Sequence, residues 1–222
     1  MISAFDVIGP AMVGPSSSHT AGACRIGLIT HHLFASPPVR AEIGLHGSFA
    51  ATGSGHATDR AIVAGLLGLA PDDARIKDSH ALAESRGLRF TITAVDLGDE
   101  AHPNSARVAA ESAGGESHVL EAASTGGGMI EVRSVDGYAT SFGGRSETLL
   151  LWHADTPGFL AKVTTLLACA EANIATIRTS RHGRGADAFS VIEVDQPLPE
   201  DCLSVMSRMS AVRALRHFPR LP

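Results

Sequence analysis

The chain has few cysteines, few charges and no long apolar or basic run, and each shortage excludes a class of protein. Cys24, Cys169 and Cys202 are its only cysteines, and they lie far apart. So few thiols exclude a disulfide framework and fit a reducing compartment. No apolar run approaches the roughly 20 residues that span a bilayer, and no basic segment precedes an apolar block as in a secretory signal. We therefore expect a cytoplasmic protein with no membrane partner.

Length and charge narrow the class further. Hydrophobic residues make up 44% of the chain and charged residues 18%, which is the composition of a packed protein and not of a disordered one. The formal net charge is −5, so nucleic acid is not an expected partner. A length of 222 residues predicts one large domain or two modest ones.

The first two-thirds of the chain are predicted to form a mixed α+β domain. Apolar residues at helical spacing predict helices over Thr20–Leu33 and Thr58–Leu69. Alternating apolar residues predict four strands, over Ala41–His46, Leu88–Val95, Val119–Glu121 and Met129–Val135.

The last third has a different pattern, with strands and helices in the order β-α-β-β-α-β. A strand over Thr148–Ala154 precedes an amphipathic helix, and a second strand begins at Asn173–Ile174. A glycine-rich turn, a third strand, a helix after Pro199 and a last strand from Val212 follow. This order predicts a ferredoxin-like fold.

A hydroxyl-rich segment near the N-terminus is the first candidate site. Gly14 and Pro15 break regular structure, and Ser16, Ser17, Ser18, His19 and Thr20 follow before any apolar pattern begins. Such a loop at the start of a helix offers free backbone N–H groups to a carboxylate or phosphate. The alternative is a long helix cap in which Ser18 or Thr20 caps the helix. Spacing alone leaves both interpretations open.

A glycine-rich segment around a histidine is the second candidate site. A strand ends near His46, Gly47, Gly53 and Gly55 leave an accessible loop, and His56 stands just before the predicted helix. Histidine there can carry a proton because its reference pKa of about 6.5 is near working pH. Alternatively, His56 only caps or packs against the loop.

Two shorter segments also carry polar or glycine-rich sequence. His102-Pro-Asn-Ser places a histidine and an amide on either side of a rigid proline. This arrangement forms either a ligand-binding site or a simple turn. Ser124–Gly128 contains three consecutive glycines and predicts at least a tight turn.

Residues 1–146 resemble the beta chain of iron–sulfur-dependent L-serine dehydratases. Two signatures carry the resemblance: Phe5, Asp6, Ile8, Gly9 and Pro10 leading into Gly14–Thr20, and the run from Gly47 to Asp59. The resemblance implies an α+β fold like that of allosteric substrate-binding domains. It also implies conversion of L-serine to pyruvate and ammonia.

The resemblance assigns roles to residues of both signatures and of the shorter segments. His56 is the implied proton-abstracting base, with His19 as the next candidate. The implied substrate-binding residues are Ser16, Ser17, Ser18, Thr20, Ser124, Gly126 and Gly127. His102 and Asn104 are the implied effector-binding residues.

Residues 147–222 resemble an ACT domain through their element order, Asp155-Thr-Pro-Gly158 and Asn173-Ile174. This family binds amino acids between paired copies, which implies an effector-binding site near Asp155 and Gly158. The alternative is an ACT-like fold that serves only as a dimer contact. Leu149–Trp152 is apolar on both alternating faces, so the face away from the helices requires a cover, either the N-terminal domain or a second ACT copy. Because large apolar patches seldom stay exposed, we expect self-association through this domain.

The family's 4Fe–4S cluster is not expected to be ligated by this chain. A cluster requires three or four clustered thiolates, and three scattered cysteines supply no such set. We therefore expect no metal ligands here and an alpha chain as the cluster-bearing partner. The rival hypothesis is a non-catalytic, amino-acid-sensing regulatory subunit of a serine-metabolism enzyme. The retained Ser-Ser-Ser-His-Thr loop and Gly55-His56 speak against it, since a sensor requires neither.

Overall fold

The computed structural model describes residues 12–52 and 55–222, which form two compact units. The first unit is Met1–Gly137 with Pro222, and the second is Tyr138–Leu221. The motif residues Phe5 to Pro10 and Gly53 lie outside the described residues. The expected division between residues 146 and 147 stays a prediction.

The first unit contains five strands of one sheet. Its strands are β1 (Pro38–Leu45), β2 (Arg89–Ala94), β3 (Ser105–Ser112), β4 (Ser117–Gly126) and β5 (Met129–Val135). Their spatial order is β2-β1-β3-β4-β5. Strand β1 is parallel to β2, and the other neighbours pair antiparallel. Along β3, Ala106 and Val108 are buried while Arg107 is exposed, as the period-two geometry of a strand requires.

The helical segments of the first unit begin within the two motifs or after them. A π-helical turn (Ser17–Gly22) leads into α1 (Ala23–His32), and α2 (Gly47–Thr52) and α3 (Thr58–Leu66) follow. A 3₁₀ turn (Ala74–Asp78) and α4 (Ser79–Ser85) complete the set. Helices α1 and α3 cross at two glycines: a Cβ on Gly27 would lie 2.1 Å from the Ile62 carbonyl oxygen, and one on Gly65 would lie 2.0 Å from that of Cys24. This close approach fixes α1, which follows the first motif, against α3, which begins at the end of the second.

Helix α2 was not expected, because the glycines around it predicted an open loop. Phe49 is completely buried, and its N–H donates to the His46 carbonyl oxygen at 3.1 Å. Burial of this ring explains why the segment folds into a helical turn instead of remaining a loop. Helix α3 ends at Leu66 and not at Leu69, because Gly68 takes a left-handed conformation with φ +78°.

The second unit has the predicted ferredoxin-like order, preceded by β6 (Tyr138–Phe142). Its elements are β7 (Glu147–Ala154), α5 (Phe159–Cys169), β8 (Ile174–Arg181), β9 (Asp187–Val194), α6 (Glu200–Ser207) and β10 (Val212–Phe218). Its four-stranded sheet has the order β10-β7-β9-β8, with every neighbouring pair antiparallel. The predicted β-α-β-β-α-β fold is confirmed.

Strand β7 is buried on both faces within one copy of the chain. Leu149 and Leu151 belong to the core that includes Val163 of α5 and Met206 of α6. Leu150, on the opposite face, is also completely buried. A second copy is therefore not required to cover this face, and self-association through this domain stays a prediction.

The described helices include no candidate for a membrane span. Within residues 12–52 and 55–222, none combines the length and the apolar character needed to cross a bilayer.

Candidate active site

The serine-rich segment forms its own cap at the start of the π-helical turn. Ser16 is the N-cap, and its Oγ accepts a hydrogen bond from the His19 N–H at 3.2 Å. The Ser16 carbonyl oxygen accepts a second bond from the Thr20 N–H at 2.8 Å. The cap is therefore Ser16, and the interpretation that named Ser18 or Thr20 as the cap is wrong. Because Ser16 accepts hydrogen bonds from both His19 and Thr20, the geometry of the turn is fixed by local contacts.

Hydroxyl groups surround the ring of His19. Its Nδ1 lies 3.1 Å from Ser18 Oγ and 3.5 Å from Ser16 Oγ, and its Nε2 lies 3.3 Å from Ser48 Oγ. The edge of the ring packs on Phe49, with 5.2 Å between the ring centroids. Since a hydroxyl either donates or accepts, both nitrogens are satisfied in a neutral imidazole.

His56 lies beside His19 and connects the second motif to the first. The two imidazole centroids are 5.0 Å apart, and the His56 side chain is exposed. The His56 N–H donates to the Thr52 carbonyl oxygen at 3.1 Å, and its own carbonyl oxygen accepts from Thr20 Oγ1 at 3.2 Å. The structure thus brings together the two histidines that the sequence selected.

The electrostatics of this pair favour a neutral His19. Burial lowers the pKa of His19, the nearby His56 lowers it further, and a hydrogen bond with Ser48 acts in the opposite direction. Ser48 lies inside the second signature but was not among the candidate site residues. No local pattern marks Ser48, because its contact with His19 depends on how α2 packs.

The His102-Pro-Asn segment packs against the start of α2. His102 Nδ1 accepts from the Asn104 N–H at 3.1 Å, which closes a local turn. The Pro103 carbonyl oxygen accepts from the Phe49 N–H at 3.4 Å, and Gly47 lies so close that a Cβ would be 2.7 Å from that oxygen. The segment therefore supports the second motif. An effector role for His102 and Asn104 stays a prediction.

The Ser124–Gly128 segment ends β4 and turns the chain into β5. Gly126 and Gly127 have φ values of +106° and +60°, which fits the predicted tight turn. Ser124 is completely buried, and a Cβ added to Gly22 would lie 2.1 Å from its Oγ. Its hydroxyl has no hydrogen-bond partner within the described part of the chain. Ser124 thus supports the π-helical turn, and the substrate-binding role of this segment stays a prediction.

In the second unit, Asp155 closes its own loop. Its Oδ2 accepts from Arg181 Nη1 at 2.6 Å and from the Gly185 N–H at 3.3 Å. These hydrogen bonds, the one from Arg181 first, lower the pKa of the Asp155 carboxyl. Gly158 has φ +78° and precedes α5. Effector binding by Asp155 and Gly158 stays a prediction.

The thiols of the chain do not fit an iron–sulfur cluster. Cys24 is buried and its Sγ donates to the Leu69 carbonyl oxygen at 3.3 Å, and burial raises its pKa to about 12. Cys202 is also buried, and its thiol contacts the Leu166 carbonyl oxygen. No group of three or more His, Cys, Asp or Glu side chains within residues 12–52 and 55–222 is placed to hold a metal ion.

Both parts of the chain are similar to known proteins. The family model "Serine dehydratase beta chain" matches residues 3–96, and "ACT domain" matches residues 148–204. The "L-serine dehydratase, beta chain" of Peptoniphilus asaccharolyticus is 41% identical over 204 residues, which is 92% of each chain. The chain belongs to the serine dehydratase beta chain family. The resemblance inferred from the signatures is confirmed, as is the two-part fold.

Two further relatives differ in how much of their length this chain covers. The "Probable L-serine dehydratase, beta chain" of Bacillus subtilis is 39% identical and is covered over 93% of its length. The "L-serine dehydratase TdcG" of Escherichia coli is 43% identical over 89 residues, only 19% of that protein. Sequence related to this chain therefore occurs both in a chain of this size and within a much longer protein.

Proposed function

We propose that this family member is the beta subunit of an L-serine ammonia-lyase, which converts L-serine to pyruvate and ammonia. The observation that carries the proposal is the 5.0 Å approach of the His19 and His56 rings across two separate motifs. Relatives that share 41% and 39% of the sequence over nearly the full length have L-serine dehydratase beta chain names, which supports the same conclusion.

His56 is the proposed base that removes the Cα proton of L-serine. It is exposed, so a substrate can reach its ring, whereas its backbone N–H and carbonyl are both hydrogen-bonded. A positioned imidazole of this kind suits proton transfer near neutral pH. Loss of the hydroxyl group then gives aminoacrylate, whose imine tautomer is hydrolysed to pyruvate and ammonia.

His19 is proposed to assist His56 and not to replace it. Its lowered pKa keeps the ring neutral, so His19 does not repel the proton that arrives on His56. The hydroxyls of Ser16, Ser17 and Ser18 are the proposed ligands of the substrate carboxylate. Hydrogen bonds to an anion are stronger than neutral ones, which favours this use of a hydroxyl-rich turn.

The remaining chemistry is assigned to an alpha chain. The thiols of this chain do not fit the family's 4Fe–4S cluster, so we assign its ligation to that partner. The relatives that match over nearly their full length are named beta chains, which supports an alpha chain as the partner. Self-association through the ACT domain and a cytoplasmic location stay part of the proposal on the resemblance and composition alone.

The test is reconstitution with a candidate alpha chain. The mixture should form pyruvate from L-serine under anaerobic conditions, and either chain alone should not. Stoichiometric iron–sulfur absorption by the beta chain alone would contradict the two-subunit proposal. Serine-dependent regulation of a partner, with no requirement for His56 in its activity, would favour the non-catalytic sensing subunit.

A further inference from the structure

Thr20 differs from the other hydroxyl residues of the serine-rich segment in its environment. Its side chain is completely buried, whereas Ser16, Ser17 and Ser18 are half-buried. Its Oγ1 donates to the His56 carbonyl oxygen at 3.2 Å. A threonine hydroxyl has one proton, so this bond uses the only donor that it has. Burial and this bond together leave Thr20 poorly placed to bind a substrate.

The backbone that Thr20 holds has an unusual conformation. Ala57, directly after His56, has φ +58° and stands at the N-cap of α3 without a side-chain cap bond. A left-handed alanine is unfavourable unless the surroundings impose it. The bond from Thr20 fixes the carbonyl of the peptide between His56 and Ala57, at the point where the chain turns into the helix.

Gly14 limits how the Thr20 side chain is placed. Its φ is +142°, and a Cβ at this position would lie 2.6 Å from both Oγ1 and Cγ2 of Thr20. The segment before the serines therefore packs directly on Thr20, and only glycine leaves room for it. Thr20 is consequently held between the Gly14 backbone and the His56 carbonyl.

We propose that Thr20 is a positioning residue, which places His56 next to His19 and does not bind the substrate. The proposal rests on the proposed function of His56 as the base. It replaces the substrate-binding role that the resemblance assigned to Thr20. Its essential element is one hydroxyl group, so valine removes the bond while keeping the shape, and serine keeps the bond.

The kinetic test uses the complex of this chain with its alpha partner. Thr20→Val should lower kcat by roughly 10- to 100-fold, with KM for L-serine changed less than about threefold, because a displaced base affects the transition state most. Thr20→Ser should restore most of kcat. A raised KM with an unchanged kcat would overturn the proposal, since that is the effect of losing a substrate ligand.

Thr30 supplies the matched control. It is also completely buried, but its Oγ1 donates to the Ile26 carbonyl oxygen of its own helix at 3.0 Å. Thr30→Val removes an equivalent hydroxyl away from the site and should leave kcat within about twofold of the unmodified complex. If Thr30→Val and Thr20→Val lower kcat equally, the effect is general destabilisation and the proposal fails.

A second measurement uses the chain without its partner. His56 contributes to the lowered pKa of His19, after burial. In Thr20→Val, release of His56 should therefore raise the pKa of His19 toward its ordinary value in an NMR titration of the histidine rings. Thr30→Val should leave it unchanged. An unchanged His19 titration in Thr20→Val overturns the proposal. If the complex of the unmodified chain forms no pyruvate while the His19 titration shifts as expected, only the proposed function is contradicted.

Discussion

The site depends on hydroxyl groups that hold two imidazole rings in place. Ser18 and Ser48 lie on the two nitrogens of His19, at 3.1 Å and 3.3 Å. Ser16 fixes the turn through the His19 N–H. At this scale the serine-rich sequence has two uses: it orients His19, and it retains a half-buried set of hydroxyls for the proposed carboxylate.

Ser48→Ala tests whether the contact with His19 matters for turnover. We expect kcat of the complex to fall by up to about tenfold, the effect of losing one hydrogen bond to a ring that is not itself the base. Ser85→Ala is the control, because Ser85 is exposed and its Oγ donates only within its own helix end. Equal activities of the two variants would remove Ser48 from the site.

The sequence predicts the two histidines but not the contacts around them. His19 and His56 stand out because polar and glycine residues isolate them from apolar patterns. Ser48 and Phe49 do not, because their roles arise only when α2 packs beside the turn. The burial of Thr20 is likewise a tertiary property, invisible in a run of five polar residues.

At the scale of elements, the crossing of α1 and α3 joins the two motifs. Gly27 and Gly65 let the two backbones approach within distances that no side chain permits. The N-terminal ends of α1 and α3 are therefore close to the hydrogen bond from Thr20 Oγ1 to the His56 carbonyl oxygen.

Gly27→Ala should destabilise the first unit despite the better helix propensity of alanine. The new methyl would lie 2.1 Å from the Ile62 carbonyl oxygen, so the helices must separate. We expect the free energy of unfolding to fall by about 1–3 kcal/mol, the usual effect of overpacking, in urea titrations followed by circular dichroism. Gly114→Ala is the control, since its nearest atom would be 3.8 Å away. Equal stability of both variants would show that the crossing tolerates a side chain.

Local pattern predicts the elements best where apolar residues recur at clear spacing. Strand β5 has the predicted bounds, Met129–Val135, and each element from β7 to β10 has its predicted type, whereas β6 was not predicted. Strand β3 was missed because alanines give a weak strand signal, and its pairing with β1 and β4 decides its conformation. Helix α4 is short, and it was missed as well.

At the scale of the whole molecule, the two units contain buried histidines with opposite titration behaviour. In the first unit, burial of His118 disfavours its charged form, but Asp136 at 2.8 Å and Glu116 at 3.3 Å outweigh burial, so its pKa is raised. In the second unit, burial lowers the pKa of His153, whose Nε2 lies 2.9 Å from Ser190 Oγ.

The strands that contain His118 and His153 should therefore respond to pH in opposite directions. The contribution of His118 is complete below its ordinary pKa of 6.5 and is lost as pH rises through the raised value. The contribution of His153 is present above 6.5 and is lost as pH falls toward its lowered pKa. Native-state amide exchange, corrected for intrinsic rates, should show β4 losing protection and β7 gaining it as pH rises from about 5.5 to 8. His118→Gln and His153→Gln should each abolish the trend in its own unit only, and parallel trends in both units would contradict this account.

The most direct test of the central claim is the turnover of L-serine by the reconstituted complex with His56→Asn. Asparagine keeps a polar side chain of similar size but accepts no proton, and Thr20 still has a backbone carbonyl to bind. We predict that kcat for pyruvate formation falls by roughly 10²–10⁴, the usual contribution of a positioned acid–base group. A kcat within a few-fold of the unmodified complex would contradict the assignment of His56 as the base and make His19 the next candidate.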